Sequence, residues 1–399
     1  MRIFSRLFKR SWSPTDDRWY QPIASQTFAG VSIDQDTAMK VAAVNRCVRI
    51  LAETIASLPL QVYERMTDGG RRLAVNHPLY DVLHRRPNAY QTSYEFRELI
   101  QGALLLWGNA YAEILRDGQG RVKEVRPLIT DRMKVAVDNG RVVYAYTKPD
   151  GQQVQVSSQR VLHLRDMSFT SGVMGTSRVN QCCDCIGLAR ATEEYGSRFF
   201  SNNARPGGIL TTEKHLTPES KARLKEQWES AHASLSNAHR VAVLEDGLQW
   251  TQIGMTSQDA QFLETRRFQI KDIARIFGVP LHMLGDNEHN TYNNAEHQSM
   301  EFVAFTVRPW LVRWEQTLQE SLLSESDRKR FFIEFNVDGL LRGDAKSRFE
   351  SYALGRQHGW LSVNDVRRLE NMDPVSGGDN YLQPVNMAPV NGQEGAAGA

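Results

Sequence analysis

The side chains best suited to chemistry in this chain are a trio of histidines, a knot of cysteines and a stripe of basic residues. His282, His289 and His297 stand close together in one polar stretch. Neutral imidazole is a common metal ligand, and two of them at i and i+4 on a helix, with glutamate as base, would make a zinc hydrolase. These three are spaced wider than that, and no carboxylate takes the zincin position, so no metal site is expected. Cys182, Cys183 and Cys185 lie in RVNQCCDCIGLARA, and Cys47 lies far upstream. A structural zinc site needs a second ligand pair at suitable spacing; with none nearby, small buried thiols on a helix are expected. His84 and His163 stand alone and read as satisfied structural residues. The chain has no GxSxG elbow, no GxGxxG after a strand and no GxxxxGK[ST] phosphate loop. No catalytic residue and no cofactor is therefore expected.

What remains is a surface. Asp286, Asn287, Glu288, His289, Asn290, Thr291, Tyr292, Asn293 and Asn294 form an amide-rich loop, longer than most interhelical connections. Such loops more often carry function than ordinary linkers do. Just upstream, Arg267, Lys271 and Arg275 recur every four residues and share one helix face. A basic stripe of this kind is ordinarily solvated; the sharper reading is that it faces phosphate or a neighbouring subunit.

Two helices must hold the loop. The first, TSQDAQFLETRRFQIKDIARIF, has Thr256 as its cap and stops at Gly278-Val279-Pro280. The second is expected from near Asn294, with Phe302, Val303, Thr306, Trp310, Trp314, Leu318 and Leu322 at helical spacing. Pro309 falls inside it. Proline lacks the amide hydrogen and crowds the carbonyl of Phe305, so a kink is expected there.

Upstream, Val41, Val44, Val48, Leu51, Ile55 and Leu58 predict a helix over about 37–57, ended by Pro59. LPLQVYER and RRLAV, around Asp68-Gly69-Gly70, read as a hairpin, and Thr92 with Glu95 as a capping box for a helix ending near Trp107-Gly108. Short strands rich in β-branched and aromatic residues follow to Leu164, separated by turns at Asp117-Gly118, Asn139-Gly140 and Pro149-Asp150-Gly151. A helix is expected over about 178–202. A strand, a helix opening at Thr217-Pro218, and the hairpin RVAVLE–Asp246-Gly247–LQWTQIG then make a β-α-β-β module over 204–256. RFFIEFNV reads as a late strand, followed by helices over about 339–358 and from Ser362, capped with Asp365, to Glu370.

With 399 residues, 41% hydrophobic and 24% charged, the chain can bury two or three cores. A net charge of +2 argues against a tight DNA binder with a strongly basic face. No apolar run approaches the ~20 residues of a membrane span. The first ten residues interleave basic and apolar side chains without the apolar core of a signal peptide.

The run DAQFLETRRFQIKDIARIFGVPLHMLGD…TYNNAEHQSMEFVAFTVRPWLVRWE resembles the portal proteins of tailed bacteriophages, of the siphophage type. AVNRCVRILAETIASLPLQVYER, LLLWGNAYAEILRDGQGRV and GWLSVNDVRRLENMDPVSGGDNYLQP are similar to the same family and occur in the same order. The likeness covers roughly residues 38 to 386. It implies an α+β portal fold: a flexible N-terminal tail over 1–36, wing over 37–177, stem helix at 178–203, βαββ clip at 204–256 and second stem helix at 257–278. Tunnel loop, kinked tunnel helix and a returning wing strand would fill 279–337, a helical crown 338–374 and a mostly disordered tail 375–399.

The resemblance further implies a dodecameric ring at one vertex of the phage head, in the virion and, during assembly, in the host cytoplasm. Double-stranded DNA would pass without sequence readout, and Asp286–Asn294 would project towards it. The large terminase subunit, then head–tail connector or adaptor proteins, would dock on the clip, and a capsid or scaffold protein would surround the ring; no membrane is involved. The family often has proline after its G-x-S before the first stem helix. Here Gly175-Thr176-Ser177 is followed by Arg178, which leaves that helix's first residue open. Two other classes stand beside this one: another head–tail connector protein, and a metal-dependent nucleic-acid enzyme using the histidine-rich loop.

Overall fold

Turn and cap residues set the element boundaries along the chain. The computed structural model describes residues 25–67, 70–169, 172–201, 208–212, 217–220, 222–223, 249–252, 257–285, 298–337, 345–370 and 372–382. β1 (Ser25–Gln26) pairs with β2 (Ser32–Ile33), so the expected flexible segment over 1–36 does not extend through its last residues. Asp34 caps α1 (Gln35–Met39) in a reciprocal box with Thr37. The single helix expected over 37–57 is broken after Met39, where the side chain of Asn45 donates to the freed Met39 carbonyl at 3.2 Å; α2 then runs from Ala42 to Ser57.

β3 (Leu60–Arg65) and β4 (Arg71–Leu73) form the expected hairpin. α3 (Pro78–His84) and α4 (Ser93–Trp107) follow; the Thr92–Glu95 capping box opens α4, and Gly108 ends it in the left-handed region at φ 72°. β5 (Asn109–Arg116), β6 (Val122–Leu128), β7 (Met133–Asp138), β8 (Arg141–Thr147), β9 (Gln153–Val156) and β10 (Val161–Arg165) come next. β7 and β8 join through Asn139 (φ 49°) and Gly140 (φ 75°). This left-handed pair matches the right-handed twist of the strands it connects.

α5 (Arg178–Gln181) and α6 (Cys183–Ser201) lead to β11 (Gly208–Thr211), which pairs antiparallel with β12 (Gln249–Gln252). α7 spans Ser257–Phe277. After a short 3-10 turn (Leu281–Leu284), the chain is helical from 298, takes a π-helical turn over Phe302–Val307, and continues as α8 (Arg308–Leu322). α9 (Glu325–Arg330), β13 (Phe331–Phe335), α10 (Ala345–Gln357) and α11 (Val363–Leu369) complete the described elements. The fold is α+β.

These elements divide into two units, with one boundary inside α2 between Cys47 and Val48. The larger unit holds residues 48–176 and 278 onward. It contains three antiparallel sheets, ordered β13-β3-β4, β10-β5-β6 and β7-β8-β9. Its core is built by α4 and α8: Ile100, Leu104 and Leu105 on one, Trp310, Trp314 and Leu318 on the other, are all buried. Arg97, also buried, has only carbonyls for partners among the described residues, Ala56 O at 2.7 Å and Leu83 O at 3.3 Å. These carbonyls lie at the C-terminal ends of α2 and α3, where helix dipoles favour a cation. Burial pulls the Arg97 guanidinium down to about 10.

His163 on β10 is buried between Tyr144 OH (3.2 Å from Nδ1) and Asn109 Oδ1 (3.1 Å from Nε2). Tyr111, Met133, Tyr144 and Val161 form the surrounding cluster. Burial draws the imidazole down to about 3, so it is neutral at ordinary pH. The smaller unit holds residues 25–47 and Ser177–Phe277.

Within the mostly disordered tail expected over 375–399, the segment 375–382 has fixed hydrogen bonds. Asn364, 3% exposed, binds it three times: its Nδ2 donates to Val375 O, its Oδ1 accepts from Val375 N, and its amide donates to Gly378 O. One long-range asparagine therefore orders a stretch that has no hydrophobic period of its own. Residues 1–24 and 383–399 lie outside the described residues.

Candidate functional site

Within the smaller unit, two helices flank the β11–β12 pair in sequence. Ser177 caps α5, its Oγ accepting from Asn180 N at 3.2 Å, so the missing proline is replaced by an ordinary cap. α6 packs against α7. Between them the buried Gln269 donates to Thr192 Oγ at 2.9 Å, and Arg178 donates to Ile276 O at 3.1 Å near the C-terminal end of α7. The guanidinium there satisfies a terminal carbonyl and complements the dipole. Gly187 lets the N-terminal turn approach α6: a Cβ at this position would lie 2.6 Å from the Thr27 side chain. The Phe28 amide also donates to Asp184 Oδ1 at 2.9 Å. The third strand expected over 240–245 lies outside the described residues.

The basic stripe has a definite setting. Arg267 and Arg275 are exposed and Lys271 is half-buried. Arg275 pairs with Asp272 at 2.6 Å and lies over the Phe268 ring at 5.8 Å. Part of the stripe's charge is thus already met on its own helix.

Asp286–Asn294, together with His289 and His297, lie outside the described residues, as does the expected helix start near Asn294. The flanks of that stretch are described. Gly285 takes a left-handed conformation at φ 89°, and His282 Nδ1 lies 2.7 Å from Gln298 Oε1, so the two flanks are tied together. That contact gives His282 a structural partner. Among the described residues, no group of three or more His, Cys, Asp or Glu is arranged to hold a metal ion. Burial pushes the Cys47 thiol up to about 12 and that of Cys185 up to about 11, which leaves both poor nucleophiles.

Pro309 occupies the second position of α8. The turn before it is π-helical, with the Arg308 amide bonding Val303 O, five residues back. Proline cannot donate to the Phe305 carbonyl and its ring crowds it, and a wider turn relieves both problems. Phe302 is buried as expected, but the inserted residue moves burial from Thr306 to Val307 and leaves Val303 half-buried. Phe305 is left 78% exposed. Thr306 Oγ donates to Gly278 O at 2.7 Å, fixing the turn to the chain at Gly278. Beyond it, Trp314 Nε1 donates to Gln101 Oε1 at 2.7 Å, Arg313 reaches Arg165 O, and Gln319 Nε2 donates to Ile333 O at 3.2 Å. Among the described residues, Arg308 is the one basic residue on an outer face that also shows Phe305 and Val312.

Residues 42–371 match the family model for phage portal protein. The chain belongs to the phage portal protein family. The portal protein of Enterobacteria phage HK97 is 34% identical over 374 residues, covering 92% of this chain and 88% of the relative. Two solved structures share the fold. One, from the neck of an empty gene transfer agent particle computed with six-fold symmetry, has a TM-score of 0.64 at 28% identity and covers 88% of this chain and 97% of its own. The other, from the neck of a native particle computed with twelve-fold symmetry, has a TM-score of 0.61 at 26% identity and covers 89% and 96%. In this portal-family chain the partners of the buried His163, Trp314 and Asn364 carried no local sequence signal. Only long-range pairing brings them together.

Proposed function

We propose that this chain is the subunit of a ring-shaped channel at one vertex of a phage head, through which double-stranded DNA is packaged and ejected. The observation that carries the reading is the portal-family match over residues 42–371, on a fold with the β11–β12 pair held between α6 and α7. The symmetric necks built from similar chains support a ring, and a dodecamer is the ring we favour. The residues over 37–177 with β13 serve as wing, 178–203 and 257–278 as stem, 204–256 as clip, and 338–374 as crown. Terminase and later the head–tail connectors dock on the clip, and capsid or scaffold protein contacts the outside. The ring resides in the virion after assembly in the host cytoplasm.

Asp286–Asn294 is the DNA-facing loop, set between the tied flanks His282 and Gln298. Its amides and hydroxyls touch sugar-phosphate without reading bases. Among the described residues, the outer face of the adjoining helix offers Arg308 alone as a basic side chain. Few phosphates are neutralised there, so little counterion is released and DNA is not held fast. Portal proteins are structural, and we assign this one no catalytic activity; the ATPase chemistry belongs to a separate motor. Negative-stain imaging of the purified protein tests the reading: rings with a central hole are expected, and a stable monomer at high concentration would overturn it. Deletion of Asn287–Asn290 should impair DNA packaging or retention while rings persist. Loss of rings would make the loop structural.

A further inference from the structure

The hairpin of α10 and α11, with the segment that follows it, carries a concentration of exposed apolar side chains. Of 25 large hydrophobic side chains exposed among the described residues, eight fall between Phe349 and Leu382. Scattered exposed apolar residues are normal, whereas a concentration of them marks an interface. Over 349–382 five acids stand against three arginines. A phosphate backbone is therefore a poor partner for this surface, and a protein is a good one.

The hairpin carries both halves of a contact. One is a groove of about 350 Å³ between the two helices, lined by Phe349, Ala353, Val363, Val366 and Met372. Arg356 and Arg367 stand in its wall, and Tyr352 is held there by donating to Glu370 at 2.9 Å. Arg356 Nη1 is buried and has no hydrogen-bond partner among the described residues. The other half is Trp360, at the turn between the helices and 69% exposed. It does not line the groove of its own chain. Its amide donates to Gly355 O at 3.0 Å, as does that of Leu361 at 3.1 Å. Gly359 has φ +78° and lies under the Leu382 carbonyl, where a Cβ would collide. The backbone of the turn is thus fixed, so contact with a partner orders only the indole's two side-chain torsions and not the chain that carries it.

A closed ring is built by heterologous contacts, in which one patch of each subunit meets a different patch of the next. Knob and socket must then lie on the same chain, as they do here. We propose that Trp360 of one subunit seats in the α10–α11 groove of the adjacent copy, stacking against Arg356. Indole is the best ring for a cation–π contact and arginine its frequent partner, and tryptophan in a desolvated pocket is a frequent hot spot. The inference rests on the ring reading above.

The test uses the full chain. p-Benzoylphenylalanine in place of Trp360 should, on irradiation, give covalent dimers whose cross-link maps to the peptide 349–372. Trp360→Ala and the groove-filling Ala353→Trp should each raise the concentration needed to keep half the rings intact by at least about tenfold. Their combination should cost no more than either alone, because both remove one contact. Trp360 is exposed, so an unchanged thermal midpoint for the Trp360→Ala monomer separates assembly from folding. Rings whose cross-links map elsewhere, to another protein or to DNA, overturn the inference alone. So do strictly additive losses. Failure of the unsubstituted chain to form rings overturns the ring reading and the inference with it.

Discussion

Trp314→Phe probes how α8 is fastened to α4. Trp314 and Gln101 are both 0% exposed. The indole donates to Gln101 Oε1 at 2.7 Å, while Gln101 Nε2 has no partner among the described residues. Phenylalanine fills most of the space but has no donor. The stranded amide oxygen costs ~1–3 kcal/mol, and the smaller ring adds about 1 kcal/mol of lost burial and cavity. A loss of ~2–4 kcal/mol is expected. Gln101→Met in the same background removes both buried polar atoms at nearly constant shape and should restore ~1–3 kcal/mol. Gln101→Met alone strands the indole N–H but removes an orphan amide, so it should change stability by less than about 1 kcal/mol. The cycle then yields a coupling energy on the order of 1–3 kcal/mol. A chain of two units does not give one unfolding free energy. The readout is therefore hydrogen exchange of the α8 peptide across a urea series. A double variant no more stable than Trp314→Phe would refute the reasoning and locate the loss in packing alone.

His163 sets a pH dependence. Its folded value of about 3 lies below the ordinary 6.5, so the unfolded chain takes up a proton that the folded chain refuses. This stabilisation is complete above pH 6.5 and falls by ~1.4 kcal/mol per unit as pH drops towards 3, or ~2 kcal/mol at pH 5. Melting of His163→Gln from pH 7 to 5 should show a shallower slope than the unsubstituted chain, and an equal slope would refute it. Gly175→Ala should destabilise by several kcal/mol, because the new methyl would meet Gly108 O and lie 2.5 Å from Asp166 N. A thermal midpoint within a degree of the parent would sink that claim. Pro309→Ala restores an amide donor for the Phe305 carbonyl, so the π turn should tighten to α with no loss of thermal midpoint. We expect reduced DNA packaging from it, by cryo-EM and packaging assay; a retained π turn with full packaging would contradict the role given to Pro309.

The local devices of this fold were legible in the sequence. The Thr92–Glu95 and Ser362–Asp365 boxes, Gly108, the Asn139-Gly140 turn and the antiparallel pairing of 60–65 with 71–73 all depend on residues a few positions apart. Where the chain relies on distant partners, the pattern misled. The break after Met39 is hidden inside a continuous apolar period, because the freed carbonyl is satisfied by the Asn45 side chain. The π turn shifts the buried face by one residue, and periodicity at 3.6 cannot show an insertion. Asn364 orders 375–378 by hydrogen bonds that leave no trace in hydropathy. At the candidate site, the basic stripe was legible as a stripe, but its pairing with Asp272 and Phe268 was not, since a side chain i−3 or i−7 away can turn either way. The His282–Gln298 tie joins residues of no distinctive pattern.

The β13–β3 ladder pairs Leu60 with Phe335, across some 275 residues of chain. A ribosome adding ~5–20 residues per second needs roughly 15–55 s to cover that distance. For that interval β3 has β4 along one side only, and its other edge, with Val62 and Leu60 facing the future core, presents unpaired amides and carbonyls to every nascent chain nearby. Glu64 and Arg65, on β3 itself, place charge at the C-terminal end of that open strand throughout the wait. Charge on an open edge discourages the wrong strand from zipping on. The ladder that closes last among the described residues is thus also the one most in need of a guard during synthesis, and Arg65 serves as part of that guard before its guanidinium settles over the Phe332 ring of the arriving strand.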